Sequence, residues 1–287
     1  MYGKKAIYFN YKSYGAFVAL ILAPALLILL GGSLSVAFLS LYPLMAAIVI
    51  AIAIASPGIP RLMAINANIR LREGKYKKAL KKAGMASRMP LAPLSVHIFT
   101  AYLMAATGDY SGAREKLESM GSHETSFSEK SKMESIKALI AWKESGSPEK
   151  GLMMLEDRIR KGADESVYYA AGKLLNLCND PSKARKYNEE AYEMNPGNMD
   201  ITQNLVISYC LTGQKIDAKL YFRNLYYEHG ANVDSLYYMA KIKQADGKSG
   251  EAADFIKTAM EMERSALNLV SQEELTAFLN ELERENL

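Results

Sequence analysis

A glycine-centred break returns through this chain at a nearly constant distance, at Gly74, Gly108, Gly146, Asn179, Gly213 and Gly247. The spacings are 34, 38, 33, 34 and 34 residues. Glycine and asparagine are the residues that most readily take the left-handed conformation that ends a helix. Five residues after each break stands a small residue: Ala79, Ala113, Gly151, Ala184, Ala218 and Ala252. A small side chain there lets the second helix of a hairpin lie close to the first. Pro148 and Pro181 fall two residues after their breaks, in the first turn of the second helix, where a missing N–H costs nothing. Pro90, Pro93 and Pro196 lie between units. Such a unit cannot bury both faces alone, so neighbours must stack into an all-α array.

A helix–turn–helix period of 34 residues, with glycine at the turn and alanine five residues later, resembles the tetratricopeptide repeat (TPR) family. Six units are expected, at 60–93, 94–127, 132–164, 165–198, 199–232 and 233–266. The unit at 165–198 carries Gly172, Leu175, Ala184, Ala191 and Pro196 at the family's signature positions. The next has Leu205, Tyr209, Ala218 and Phe222, and the unit at 94–127 has Ala101, Gly108, Asp109, Tyr110 and Ala113. The family's tryptophan early in the first helix is replaced throughout, by Met63, His97, Ser135, Tyr168, Thr202 and Leu236. The third unit departs most, with Leu139 at a small-residue position, Gly151 for alanine and Arg158 on its second helix. The extra residues of its spacing are assigned to a linker at 121–129. The segment 271–285 opens with Ser271 and Glu274 in capping-box register. Its apolar stripe of Leu275, Phe278, Leu279 and Leu282 reads as a terminal cap over the open end of a solenoid.

The resemblance implies a right-handed superhelix whose first helices line a concave groove. Mapped onto this sequence, the candidate peptide-groove residues are Phe99, Tyr102, Tyr169, Lys173, Asn176, Gln203, Asn204, Ile207, Tyr237, Lys241 and Gln244. Tyrosines and amides offer contact area and hydrogen bonds to an extended peptide, and the two lysines favour an acidic segment or a carboxylate. The clamp with which some family members hold a C-terminal carboxylate is not reproduced. In the pairs Tyr168–Tyr169, Tyr226–Tyr227 and Tyr237–Tyr238, adjacent helical residues point about 100° apart, which places one of each pair in the core.

The N-terminal part is of another kind. Residues 13–60 contain no charge, and Gly31, Gly32 and Ser33 divide them into two apolar runs, 14–32 and 34–55. Each has about the 20 residues that a helix needs to cross a bilayer. Pro24 and Pro43 lie inside the runs, where a kink is tolerated, and Tyr8, Phe9, Tyr11 and Tyr14 precede them as an interfacial belt would. Lys4, Lys5 and Lys12 flank the first run and Arg61, Arg70 and Arg72 follow the second. The positive-inside rule then places both termini and the repeat domain in the cytoplasm. A cleaved signal peptide, suggested by Ser35, Val36 and Ala37, would not explain the second run, and a buried soluble hairpin would not need 48 uncharged positions. The expected division is a membrane anchor at 1–58 and a solenoid at 59–287.

The net charge of +4 conceals an asymmetry: residues 1–90 carry +11 and the remainder −7. Lys75, Lys77, Lys78, Lys81 and Lys82 form the densest basic cluster, read as lipid-surface contacts or as the solvated face of a helix. An acidic main domain disfavours nucleic acid. Cys178 and Cys210 form no C-x-x-C pair, and reduced thiols suffice to explain them. His97, His123 and His229 lack metal-ligand spacing. No phosphate loop or G-x-S-x-G elbow occurs, and the acidic pairs Glu189–Glu190 and Glu273–Glu274 suit an exposed helix face. No cofactor is expected and no enzyme activity. Two functions fit: a membrane-anchored scaffold that binds partner proteins or peptides at the cytoplasmic face, or an accessory subunit whose hairpin packs on the helices of an integral membrane complex. Ala19, Ala23, Ala46, Ala47 and Ala51 offer the small surfaces the second would use.

Overall fold

A computed structural model of the chain describes residues 58–285, apart from 90, 122–124, 179 and 230. The expected membrane spans and the break at Asn179 lie outside the described residues. Among the described residues no helix is long and apolar enough to cross a membrane.

The described chain is an array of helical hairpins: α1 (Gly58–Arg72) with α2 (Tyr76–Ser87), α3 (Leu94–Ala106) with α4 (Tyr110–Ser119), α5 (Phe127–Ser145) with α6 (Pro148–Lys161), and α7 (Glu165–Leu175) with α8 (Pro181–Met194). Then follow α9 (Met199–Leu211) with α10 (Lys215–Asn224), which closes in a π turn at Leu225–His229, and α11 (Val233–Ala245) with α12 (Ser249–Glu261). A single helix, α13 (Gln272–Glu285), ends the array. The first helices α1, α3, α5, α7, α9 and α11 each touch the next and form a continuous inner layer. Residues 34 apart thus meet in space, the TPR-like architecture expected of the repeat.

The breaks work by backbone geometry. Gly74, Gly108, Gly146, Gly213 and Gly247 have φ of 71°, 90°, 72°, 75° and 74°. At Gly74 the Lys75 N–H donates to the Arg70 carbonyl at 2.9 Å and the Gly74 N–H to Leu71 at 2.9 Å, a Schellman closure. The same pair of bonds recurs around Gly108, Gly213 and Gly247. The small residues after the breaks are buried at the helix crossing, and all five alanines have no exposed surface. Gly151 fits the same rule more tightly: a Cβ there would lie 2.6 Å from the Ala138 carbonyl oxygen and 2.8 Å from Leu174 Cδ1. Pro148 and Pro181 open α6 and α8, as expected.

The third unit shows one difference. The extra residues assigned to a linker mainly lengthen α5 to 19 residues. Ser126 and Glu129 form a reciprocal capping box that starts the helix early. Arg158, an apparent misfit, pairs with Glu134 and lies 4.9 Å over the Phe127 ring. The C-terminal cap follows its sequence: the Ser271 N–H donates to Glu274 and the Glu274 N–H to Ser271 Oγ, while Leu275, Phe278 and Leu282 are buried.

Candidate functional site: a strap and the mouth it closes

Beyond α12 the chain leaves the helical period, and Met262 takes extended backbone with ψ of 146°. Residues 262–271 then run as a strap across the inner layer, from the last unit to the first and back. The Lys77 N–H donates to Glu263 at 2.9 Å. The Ala266 N–H donates to the Ala106 carbonyl at 2.7 Å, and Ser265 Oγ donates to the same carbonyl at 3.2 Å. Lys143 Nζ donates to the Asn268 carbonyl at 2.7 Å. Leu267, only 3% exposed, sits in the apolar cluster built by α3, α5 and α7.

Asp234, in the first turn of α11, clasps the strap. Its carboxylate is fully buried and accepts the Leu269 N–H at 3.0 Å and the Val270 N–H at 3.1 Å. The buried Lys173 ammonium stands 4.0 Å away as counter-ion. Burial in this cationic neighbourhood pushes the Lys143 ammonium down to about 8, desolvation acting first and the nearby Lys173 second.

In front of the strap the inner layer opens into a mouth of about 570 Å³. Its wall is formed where α3, α5, α7, α9 and α11 begin, and Met262 and Glu263 of the strap contribute to it. Phe99, Tyr76, Tyr102 and Tyr169 supply aromatic surface. The Tyr102 hydroxyl donates to Asp200 Oδ2 at 3.3 Å. Desolvation raises the Asp200 carboxyl above the usual carboxylate range, against the pull of Lys173, Tyr102 and Arg72. Burial, then the Asp200 charge, holds the Tyr102 and Tyr169 phenols well above their ordinary values, so both stay neutral. The charged lining is four carboxylates, Glu129, Glu165, Asp200 and Glu263, against Arg72 and Lys132.

The structure distributes the expected groove residues in three ways. Phe99, Tyr102, Tyr169 and Gln203 line the mouth. Lys173, Asn176, Asn204, Ile207 and Tyr237 are buried in the packed stack. Ser208 Oγ donates to Asn176 at 2.9 Å, Asn188 donates to Ser208 at 2.7 Å, and Asn204 donates to the Tyr169 carbonyl at 3.2 Å. Gly172 is required beside this network, because a Cβ there would collide with the Asn188 carboxamide. Gln244 and Lys241 face the cap: Gln244 donates to Glu281 at 2.9 Å, and Lys241 lies 5.7 Å over Phe278. The expectation that the lysines draw an acidic segment therefore changes. Lys173 is committed to Asp234, and the open mouth is acidic.

Asp200, Asp234 and the strap were missed in the sequence. Both aspartates stand in the first turn of a helix, where an acid is ordinary. On α2, Lys77, Lys78 and Lys81 are exposed, Lys82 is half-buried, and Lys75 pairs with Glu73 at 2.9 Å. Cys178 and Cys210 are free thiols, raised by burial to about 11 and about 12. Among the described residues no group of histidine, cysteine and carboxylate side chains could hold a metal ion.

No family model matches the chain, and no curated protein matches it. Solved structures do. A tetratricopeptide repeat protein from Parabacteroides merdae is 14% identical, with a TM-score of 0.41 over 78% of this chain and 98% of that one. Pseudomonas aeruginosa pilF is 14% identical, with a TM-score of 0.43 over 79% and 97%. A thermophilic TPR protein in Thermus thermophilus is 13% identical, with a TM-score of 0.35 over 78% and 99%. At these identities the likeness concerns the fold alone, and the architecture rests on the helical hairpins themselves.

Proposed function

We propose that this chain is a membrane-tethered TPR scaffold, without catalysis of its own, that docks a segment of a partner protein in the mouth at the cytoplasmic membrane face. The tether is the uncharged stretch at 13–60, with basic residues on both flanks. The observation that carries the docking reading is the mouth: about 570 Å³ of open volume, walled by tyrosines and a phenylalanine and bordered by Met262 and Glu263 of the strap. Tyrosine and phenylalanine provide contact area at small cost in rotamer freedom. The excess of carboxylates suits a neutral or basic segment better than an acidic one.

The test is site-specific photocrosslinking in cells. A photoreactive residue at Ser95 or Phe99, in the mouth, is expected to give one adduct of defined mass. The same residue at Met153, 70% exposed on α6, is expected to give none. Equal adducts at both places would overturn docking in the mouth. Exchange of residues 1–58 for an unrelated two-pass anchor is expected to leave the adduct in place. Its loss would favour the accessory-subunit reading, in which the native hairpin itself recognises partner helices. A tag at Leu287 that proved reachable only from outside intact cells would refute the cytoplasmic placement.

A further inference from the structure

Helix α1 has two apolar faces. Pro60 and Ala67 are buried, and Leu71 packs into the cluster formed with α2 and α3. Ile59, Leu62, Ile65 and Ile69 are 47%, 66%, 59% and 49% exposed. At about 100° per residue those four fall within roughly a third of the helix circumference, on the side away from Pro60 and Ala67. Four large aliphatic side chains in one exposed stripe, with Asn66 the one polar side chain among them, are a surface that calls for a cover.

The flanks say what covers it. On the same helical wheel Arg61 and Arg72 border one edge of the stripe and Arg70 the other. The α1–α2 hairpin carries eight Lys and Arg residues against one acid, Glu73. The uncharged stretch of residues 13–60 leads directly into the first turn of α1. An apolar stripe edged by cations is the form of a helix that lies in the plane of an anionic bilayer, its aliphatic residues at the acyl boundary and its arginines among the headgroups. Protein interfaces are depleted of lysine, and the α1–α2 hairpin carries five lysines, Lys75, Lys77, Lys78, Lys81 and Lys82.

We infer that α1 is an in-plane lipid contact: its Ile59–Leu62–Ile65–Ile69 stripe docks on an anionic membrane surface and fixes how the solenoid stands on it. The inference rests on the membrane placement proposed above. It adds a second contact, independent of the spans, which stops the array from swinging freely on its tether.

The experiment uses the full chain, with Cys178 and Cys210 replaced by serine and a polarity-sensitive fluorophore on Leu62→Cys. It is reconstituted into vesicles of phosphatidylcholine alone or mixed equally with phosphatidylglycerol. Ile65→Cys repeats the measurement at a second position, and Met153→Cys is the control. Flotation with the vesicles reports the tether. Fluorophore emission and quenching by nitroxide lipids report α1. The expected result is a blue shift at Leu62 and Ile65 with quenching about 5–10 Å deep, the depth of an interfacial helix. The quenching is stronger on anionic vesicles, falls several-fold when Arg61 and Arg72 are changed to glutamate, and is absent at Met153. A chain that floats while both fluorophores stay in water keeps the tether and overturns the α1 contact. A blue shift without lipid quenching also overturns it, because the cover is then protein. A chain that fails to float refutes the membrane placement and the inference together.

Discussion

Two aspartates, each in the first turn of an inner helix, do opposite work. Asp234 is matched: one carboxylate holds two backbone N–H groups and faces a lysine. Replacing it with alanine leaves the Lys173 charge and two amides unanswered, so Asp234→Ala is expected to cost about 3–5 kcal/mol. Asp234→Asn keeps an acceptor and should cost less. Urea denaturation at neutral pH measures both, and a loss below about 0.5 kcal/mol for the alanine variant, no more than an ordinary surface substitution, would refute the clasp. Asp200 is poorly matched, and desolvation raises its folded-state pKa above the ordinary 3.8. Between 3.8 and the raised value the folded state binds more protons than the unfolded one. This group's contribution is therefore full below the unfolded pKa and fades as pH rises through the folded one. Asp200→Asn retains the shape and an acceptor for Tyr102 while removing the titration. Thermal melts of both proteins from pH 4 to 7 should show the variant gaining on the parent as pH rises. A constant difference would show that Asp200 titrates normally.

The helical hairpins were legible because each break is a local demand. A left-handed residue that ends a helix has to be tolerated wherever it occurs, so glycine marks it in the sequence. Gly151 extends that logic to packing. Gly151→Ala would supply the alanine that stands at the same place after the other breaks, yet its methyl group would meet the Ala138 carbonyl at 2.6 Å. It is expected to destabilise by about 1–3 kcal/mol, as overpacking does, and a gain in melting temperature would show that α5 and α6 can separate at no cost. The strap was not legible. It has no period, and its partners are remote: Ser265 bonds to a carbonyl 159 residues earlier. The groove was half legible for the same reason. The resemblance to the TPR family placed Phe99, Tyr102, Tyr169 and Gln203 on the inner layer, but only remote partners separate the open mouth from the filled interior: Asn176 and Ser208 bond to each other across 32 residues, and Tyr237 packs on Phe278 of the cap.

A solenoid whose units touch only their neighbours can fray from its ends. This one has a weak start. The fully buried part of the cluster joining α1, α2 and α3 is Leu103 and three alanines, Ala67, Ala79 and Ala83, and the alanines bury little apolar surface. The strap compensates by tying Ala106 and Lys143 in the first half to α11 in the last unit, through bonds that span 125 residues or more. Folding of the first three units is thereby coupled to completion of the sixth. Leu267→Asp is the sharpest way to cut that coupling, because it forces a charge into the α3–α5–α7 cluster while leaving every hairpin intact. Hydrogen exchange followed by mass spectrometry should show the parent protecting α3–α5 and α9–α11 to similar degrees. In the variant, protection should fall first and furthest across α1–α5, with α9–α12 close to the parent. A uniform fall across all helices would mean that the array is one cooperative block without the strap. No fall would mean that the strap merely lies on the inner layer. Only the graded loss fits a chain in which the segment 262–271 ties the two ends of a one-dimensional stack together.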